Sequence, residues 1–193
     1  MSRVDELLSF WFGQPRDEKS YFDEWHPRWF AHDPQFDQVV RDHFLADYQL
    51  AAEQKLTDWQ NQPRSGLALV LLLDQIPRNI FRGDKRAFAT DALARETTVH
   101  LMSQGFDRQL LPVERFFLYL PFMHSEQLSD QQRSVALYQE LAQETSYLDV
   151  VSFATQHLEI IQRFGRFPHR NFPLNRPSTA EEETFLRQPG SSF

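Results

Sequence analysis

The sequence predicts an all-α fold of about eight helices, packed as antiparallel helix hairpins in a single domain over residues 1–193. Apolar residues recur every three or four positions, and no stretch alternates apolar and polar side chains as a half-buried strand does. Capping residues and glycines bracket these periodic stretches and leave mostly short connections between them. The core is expected to be aromatic, because 18 Phe, 5 Tyr and 4 Trp each bury a large surface.

Ser2 reads as the first N-cap, with Asp5 three residues on; Val4, Leu7, Leu8, Trp11 and Phe12 share a face, and Gly13 stops the helix. Asp33 caps a second helix that starts with Pro34, and Phe36, Val39, Val40, Phe44 and Tyr48 carry its apolar face to about Gln54. The next helix, about Arg64 to Gln75, contains the unbroken apolar run Leu67–Leu73. It is expected to end at Ile76, since a residue before proline is pushed out of helical geometry. Arg78–Gly83 reads as a connector, and Asp84 as the cap of a helix that reaches about Gln104 and stops at Gly105.

Pro112 opens a helix to about Met123, and Ser129 or Asp130 caps the one after it, with Val135, Tyr138, Leu141 and Ala142 inward. The last long helix, about Tyr147 to Phe164, lines up Val150, Ala154, His157, Ile161 and Phe164 before Gly165. Phe167–Pro177 is a polar connector with three prolines, and a segment of that kind is more often docked or functional than idle. Thr179 and Glu182 form a capping box for a short terminal helix, and residues 189–193 read as a frayed tail.

Composition narrows the function classes. No apolar run approaches the ~20 residues of a membrane span, and Asp5 and Glu6 stand where a signal peptide carries no acid, so a cytoplasmic location away from membranes is expected. The absence of Cys removes disulfides, thiol nucleophiles and thiolate metal sites. A net charge of −7 argues against a nucleic-acid partner. There is no Gly-rich phosphate loop, Glu-x-x-His, His-Glu-x-x-His or EF-hand loop, so neither a metal nor a cofactor is called for. The G-x-S-x-G elbow of serine hydrolases is missing as well.

Two stretches carry candidate chemistry. The apolar run ends in Asp74-Gln75-Ile76-Pro77-Arg78-Asn79, which delivers an acid, two amides and an Arg to the end of a buried helix. An acid there faces the negative end of the helix dipole and needs compensation, from Arg78, Arg82 or a distant Arg. Second, residues 160–180 contain no acid but hold Arg163, Arg166, Arg170 and Arg176, together with His169. That segment can cradle a carboxylate or phosphate, or it can draw its counter-charges from elsewhere in the fold. His124 and Glu126, just past a helix end, are the His–acid pair to inspect for proton transfer, whereas His157 on an apolar stripe reads as a hydrogen-bonded core residue.

The segments Leu71–Ala94 (LLLDQIPRNIFRGDKRAFATDALA), Tyr119–Gln131 (YLPFMHSEQLSDQ) and Arg163–Glu183 (RFGRFPHRNFPLNRPSTAEEE) together resemble the bacterial domain-of-unknown-function family 924. FWFG at Phe10–Gly13 and the Trp29–Phe30 pair fit the resemblance too, which spans nearly the whole chain. It implies an all-helical, tetratricopeptide-like superhelical fold and no particular activity. Asn175 stands where the family often has Gly, and Asn is the next-best residue for a left-handed turn.

The function expected from these residues is binding of a small anionic ligand or a peptide carboxylate in an Arg-lined polar pocket. Its candidate residues are Asp74, Gln75, Arg78, Asn79, His124, Glu126, Arg163, Arg166, His169 and Arg170. A tetratricopeptide-like protein-interaction scaffold is one alternative, and an enzyme that uses His124 and Glu126, or His169, is another. Whether the chain is an enzyme, and its oligomeric state, stay open at this level.

Overall fold

The computed structural model describes residues 1–13, 29–144 and 150–191. Among them lie eight α-helices and no strand: α1 (Arg3–Phe12), α2 (Pro34–Ala52), α3 (Pro63–Ile80), α4 (Asp91–Ser103), α5 (Pro112–Met123), α6 (Leu128–Leu141), α7 (Val150–Phe164) and α8 (Ala180–Leu186). Short 3₁₀ turns fill several connections, including Lys85–Phe88 and Pro168–Arg170. Consecutive helices pack on one another from α2 to α7, and α3 also meets α1 and α5. That position explains its composition: every residue from Gly66 to Pro77 is buried.

Aromatic rings fill the space around it. Phe117 of α5 is the hub, with ring centroids of Trp29, Phe12 and Trp11 at 4.7, 5.4 and 5.8 Å in edge-on arrangements. Each such pair adds roughly 0.5–1.5 kcal/mol to the burial itself. Trp29 also donates its indole N–H to the Trp11 carbonyl at 2.8 Å, which ties the segment after the first helix back onto α1. A smaller cluster of Ile160, Ile161 and Phe167, with Phe164 and Phe185 against it, anchors the C-terminal segment.

Several local rules hold as the residues predict. Ser2 and Asp5 form a capping box, Asp33 caps α2 ahead of Pro34, and Thr179 with Glu182 does the same for α8. Gly105 and Gly165 turn with φ of 67° and 69°, and Asn175 takes the left-handed conformation at φ 55° without a glycine.

Other boundaries differ, each for a physical reason. Helix α3 does not stop at Ile76 but runs through Pro77 to Ile80. Pro77 has no N–H for the Leu73 carbonyl, and Thr90 Oγ donates to that carbonyl instead, at 2.6 Å. Arg78 and Asn79 are therefore helical, not part of a connector. Asp84 caps only the 3₁₀ turn Lys85–Phe88, and α4 starts later, at Asp91. Helix α6 starts at Leu128 with Gln127 at its cap position, two to three residues before the expected caps, and Asp130 is instead engaged by Ser125 Oγ at 2.7 Å. Val39 lies outside the buried face, which follows Phe36, Val40, Phe44, Tyr48 and Ala51. The expected start of α7 at Tyr147 falls outside the described residues.

Gly66 has a packing role that periodicity does not reveal. A Cβ there would lie 2.3 Å from Leu101 Cδ2 and 2.8 Å from Cδ1, and Leu101 is itself fully buried in α4. Gly66→Ala should therefore cost about 1–3 kcal/mol through overpacking, despite the better helix propensity of Ala. A urea midpoint equal to or above that of the wild type would show that Leu101 can move aside.

Candidate functional site

Because α3 is buried along its length, Asp74 arrives in the core with no exposure at all. An isolated carboxylate would be intolerable there, and three side chains converge on it. His124 Nδ1 lies 2.8 Å from Oδ1 and 3.0 Å from Oδ2. Gln75 Nε2 donates to Oδ2 at 2.6 Å, and Arg78 Nη1 stands 3.3 Å from Oδ1. His124 reaches this position as the residue that ends α5, and its own N–H closes that helix on Leu120.

A proline sits three residues from each partner, Pro77 after Asp74 and Pro121 before His124. Pro77 leaves the Leu73 carbonyl to Thr90, and side chains also reach carbonyls of α5. Around Pro121, Tyr138 Oη donates to Phe116 O at 2.8 Å and Thr98 Oγ to Leu118 O at 3.0 Å. These bonds tie α5 to α6 and to α4.

From Asp74 the contacts run in a closed circuit. Arg78 grips Asp91 with both nitrogens, at 3.0 and 3.1 Å. Asp91 accepts from Arg170 Nη1 at 3.2 Å. The Arg170 guanidinium lies over the rings of Phe88 and Phe167, at 4.7 and 4.6 Å from their centroids. Phe167 contacts both His157 and His169, at 5.6 Å each, and His157 lies 6.4 Å from His124.

The charges in this circuit are shaped by burial. Burial pushes Asp74 up, but Arg78 and then His124 overcome it, so its carboxyl titrates well below the usual range. Burial, reinforced by Arg78, pushes His124 below its ordinary value against the pull of Asp74. His157 and His169 are each pushed down to about 3, first by burial and next by the neighbouring His124 and Arg170 respectively. Burial also draws Arg170 down to about 10, with Asp91 opposing. The circuit therefore holds two carboxylates, two guanidinium groups and three neutral imidazoles.

Tautomers follow from the partners. An ionised carboxylate only accepts, so His124 carries its proton on Nδ1, and Nε2 keeps a lone pair with no hydrogen-bond partner among the described residues. His157 likewise places its proton on Nδ1, toward the Phe153 carbonyl at 2.7 Å. This fits the expectation of a hydrogen-bonded core histidine.

Of the ten candidate residues, Asp74, Gln75, Arg78, His124, His169 and Arg170 come together here. The other four do not. Asn79 donates to Asp37 at 2.8 Å, where Arg82 also binds, and joins α3 to α2. Glu126 accepts from Arg176 at 2.7 and 3.0 Å and from the Phe167 N–H at 2.8 Å, which docks the proline-rich connector on the α5–α6 turn. Arg166 pairs with Glu182 at 2.6 Å and Arg163 with Glu181 at 2.9 Å. The acid-free segment thus draws its counter-charges from four carboxylates elsewhere, Asp91, Glu126, Glu181 and Glu182.

Asp91, Phe88 and Phe167 complete the circuit without having been singled out as site residues. The sequence places Asp91 inside a helix capped by Asp84; in the structure it stands in the first turn of α4, where an acid is favourable for the dipole alone. Its second use, bridging Arg78 and Arg170, depends on a contact across 79 positions of chain.

No helix among the described residues is long and apolar enough to cross a membrane. No group of three or more potential metal ligands is present among them either. No curated protein is similar to the chain. A solved structure of a protein of unknown function from Agrobacterium tumefaciens is similar along nearly the whole length, with 38% identity, a TM-score of 0.82, and coverage of 95% of this chain and 96% of that one. Residues 7–190 match the family described as bacterial protein of unknown function (DUF924). With the three long motifs placed around one buried circuit and the match running nearly end to end, the chain belongs to that family.

Proposed function

We propose that the protein binds a small anionic molecule, through a carboxylate or phosphate group, at Arg170 beside His124 and His169. The observation that carries this reading is the state of Arg170. It is 6% exposed, yet only one of its N–H groups has an acceptor among the described residues, and Nε is buried without one. A guanidinium offers five donors, and a buried one left this incompletely paired is costly. Two aromatic rings fix its orientation, so an incoming anion finds the fork already ordered.

Arg163, Arg166 and Arg176 lack this property, since each is paired with a glutamate. The three neutral imidazoles add a second feature. An anion entering a circuit that is already balanced favours uptake of a proton by His124 or His169.

Isothermal titration calorimetry with phosphate, succinate and citrate tests the reading. Wild-type protein and Arg166→Ala should bind at least one of the three, with heats that depend on the ionisation enthalpy of the buffer. Arg170→Met should lose at least tenfold in affinity. Equal binding by wild type and Arg170→Met, or no binding of any of the three anions, would overturn it.

A further inference from the structure

We propose that Asp74 and His124 form a general-base dyad that activates water against an acyl compound whose carboxylate is held by Arg170, making the protein a hydrolase of small carboxylate-bearing esters. The choice of substrate rests on the anion-binding reading, whereas the dyad itself stands on the geometry of Asp74 and His124.

Three features make His124 a base rather than a packed histidine. First, its proton is fixed on Nδ1, which leaves Nε2 as the basic nitrogen, because both carboxylate oxygens of Asp74 lie within 3.0 Å of Nδ1. Gln75 and Arg78 hold that carboxylate in turn, so the ring cannot readily swap tautomers. Second, Nε2 has no partner among the described residues, and 15% of the side chain is exposed, so a water molecule can reach it. Third, the imidazolium that forms on proton uptake has the Asp74 carboxylate at hydrogen-bond distance, which offsets part of the burial and the Arg78 charge that oppose it. It also sits at the C-terminal end of α5, where the helix dipole favours a cation.

Water is the nucleophile because no side chain among the described residues is positioned to serve. Cysteine is absent, and Ser125, adjacent in sequence, donates its hydroxyl to Asp130 at 2.7 Å and accepts from the Gln127 N–H at 3.2 Å. In the reaction, a water O–H bond breaks and its proton passes to His124 Nε2 while the oxygen bonds to the acyl carbon. The ester C–O bond then breaks, and the leaving alkoxide takes the proton from Nε2. The products are an acid and an alcohol, the imidazole is neutral again, and no further reactant is needed. Arg170 positions the substrate by its carboxylate, and Asp74 acts through His124 as a positioning residue.

The test uses p-nitrophenyl acetate and the mono-p-nitrophenyl ester of succinic acid, with the full chain. Wild type should hydrolyse the succinate ester faster than the acetate, with a rate that rises as His124 loses its proton and a solvent deuterium isotope effect of about 2 or more. General-base loss is typically worth about 10²–10⁴-fold, so His124→Gln should cut kcat by at least 100-fold. Asp74→Asn should lower kcat and alter the pH profile, and ¹⁵N shifts of His124 in the wild type should show the proton on Nδ1. Arg166→Ala, outside the circuit, serves as the control and should match wild type.

A wild-type rate no higher than that of His124→Gln would overturn the proposal, as would a His124 proton found on Nε2. If Asp74→Asn fails to fold, the His124 comparison and the ¹⁵N shifts decide alone. Anion binding that persists in a protein without esterase activity would sink the dyad and leave the binding reading intact. Hydrolysis that depends on His124 but shows no preference for the succinate ester would do the reverse.

Discussion

Asp74→Ala should lower the free energy of unfolding by about 2–4 kcal/mol near neutral pH, one of the largest single-residue losses in the molecule. The substitution removes the acceptor of His124 Nδ1 and Gln75 Nε2 and one of the two counter-charges of Arg78. Arg78 keeps its bidentate contact with Asp91, which is why the loss should stay below that of stranding a wholly unpaired buried cation. Asp74→Asn should fall between wild type and Ala, since an amide preserves shape and one acceptor but not the charge. The pH dependence carries its own sign. The folded carboxyl titrates below its unfolded value, so this contribution is fully present above about pH 4 and is lost as pH falls through the folded value. Urea denaturation at pH 7.5 measures the loss; a midpoint matching wild type would show that the carboxylate is dispensable to the fold.

The same residue illustrates what the chain discloses on reading. The helical class, the caps of α1, α2 and α8 and the left-handed turn at Asn175 are local consequences of side-chain geometry, and each is visible in a few consecutive residues. The burial of Asp74 is visible too, because an apolar run as long as Leu67–Leu73 has nowhere else to go. Its partners are not visible in this way. Of the expected Arg partners, Arg78 does contact it, Arg82 goes to Asp37 instead, and Arg170 arrives only through Asp91, while the contacts from His124 and Gln75 are not anticipated. The end of α3 was misplaced for a related reason. Proline normally breaks a helix through the carbonyl it leaves open, and whether a distant hydroxyl such as that of Thr90 closes it depends on tertiary packing. Likewise, four arginines in an acid-free segment look like one anion site, but three of them have glutamate partners supplied from 16, 18 and 50 residues away. Charge clustering in sequence marked the right segment, and only the fold separates the one under-paired guanidinium from the rest.

Acidification to pH 5.0 should destabilise the protein well before its carboxylates titrate. His157 and His169 are pushed down to about 3 by burial, against an unfolded value near 6.5. Between those limits the unfolded chain binds more protons than the folded one, so stability falls as pH falls, from about 6.5 downward. From pH 7.5 to 5.0 each histidine alone would account for roughly 2 kcal/mol, and the pair for as much as ~4 kcal/mol, a large part of a typical domain's stability. The carboxylates with lowered values, Glu126 and Glu182 among them, add a loss of the same sign only near and below their unfolded range. Urea midpoints at pH 7.5, 6.5, 5.5 and 5.0 separate the two regimes. In His157→Gln the dependence from pH 7.5 to 5.0 should shrink by roughly 2 kcal/mol, that ring's own share, because the amide can still donate toward the Phe153 carbonyl but takes up no proton. Wild-type midpoints that stay constant from pH 7.5 to 5.0 would mean that both rings accept protons in place, and the circuit would then be open to water rather than held neutral by burial. An anion that binds at Arg170 should oppose the acid loss by stabilising protonated His169, so phosphate or succinate should shift the acid transition downward in wild type and not in Arg170→Met.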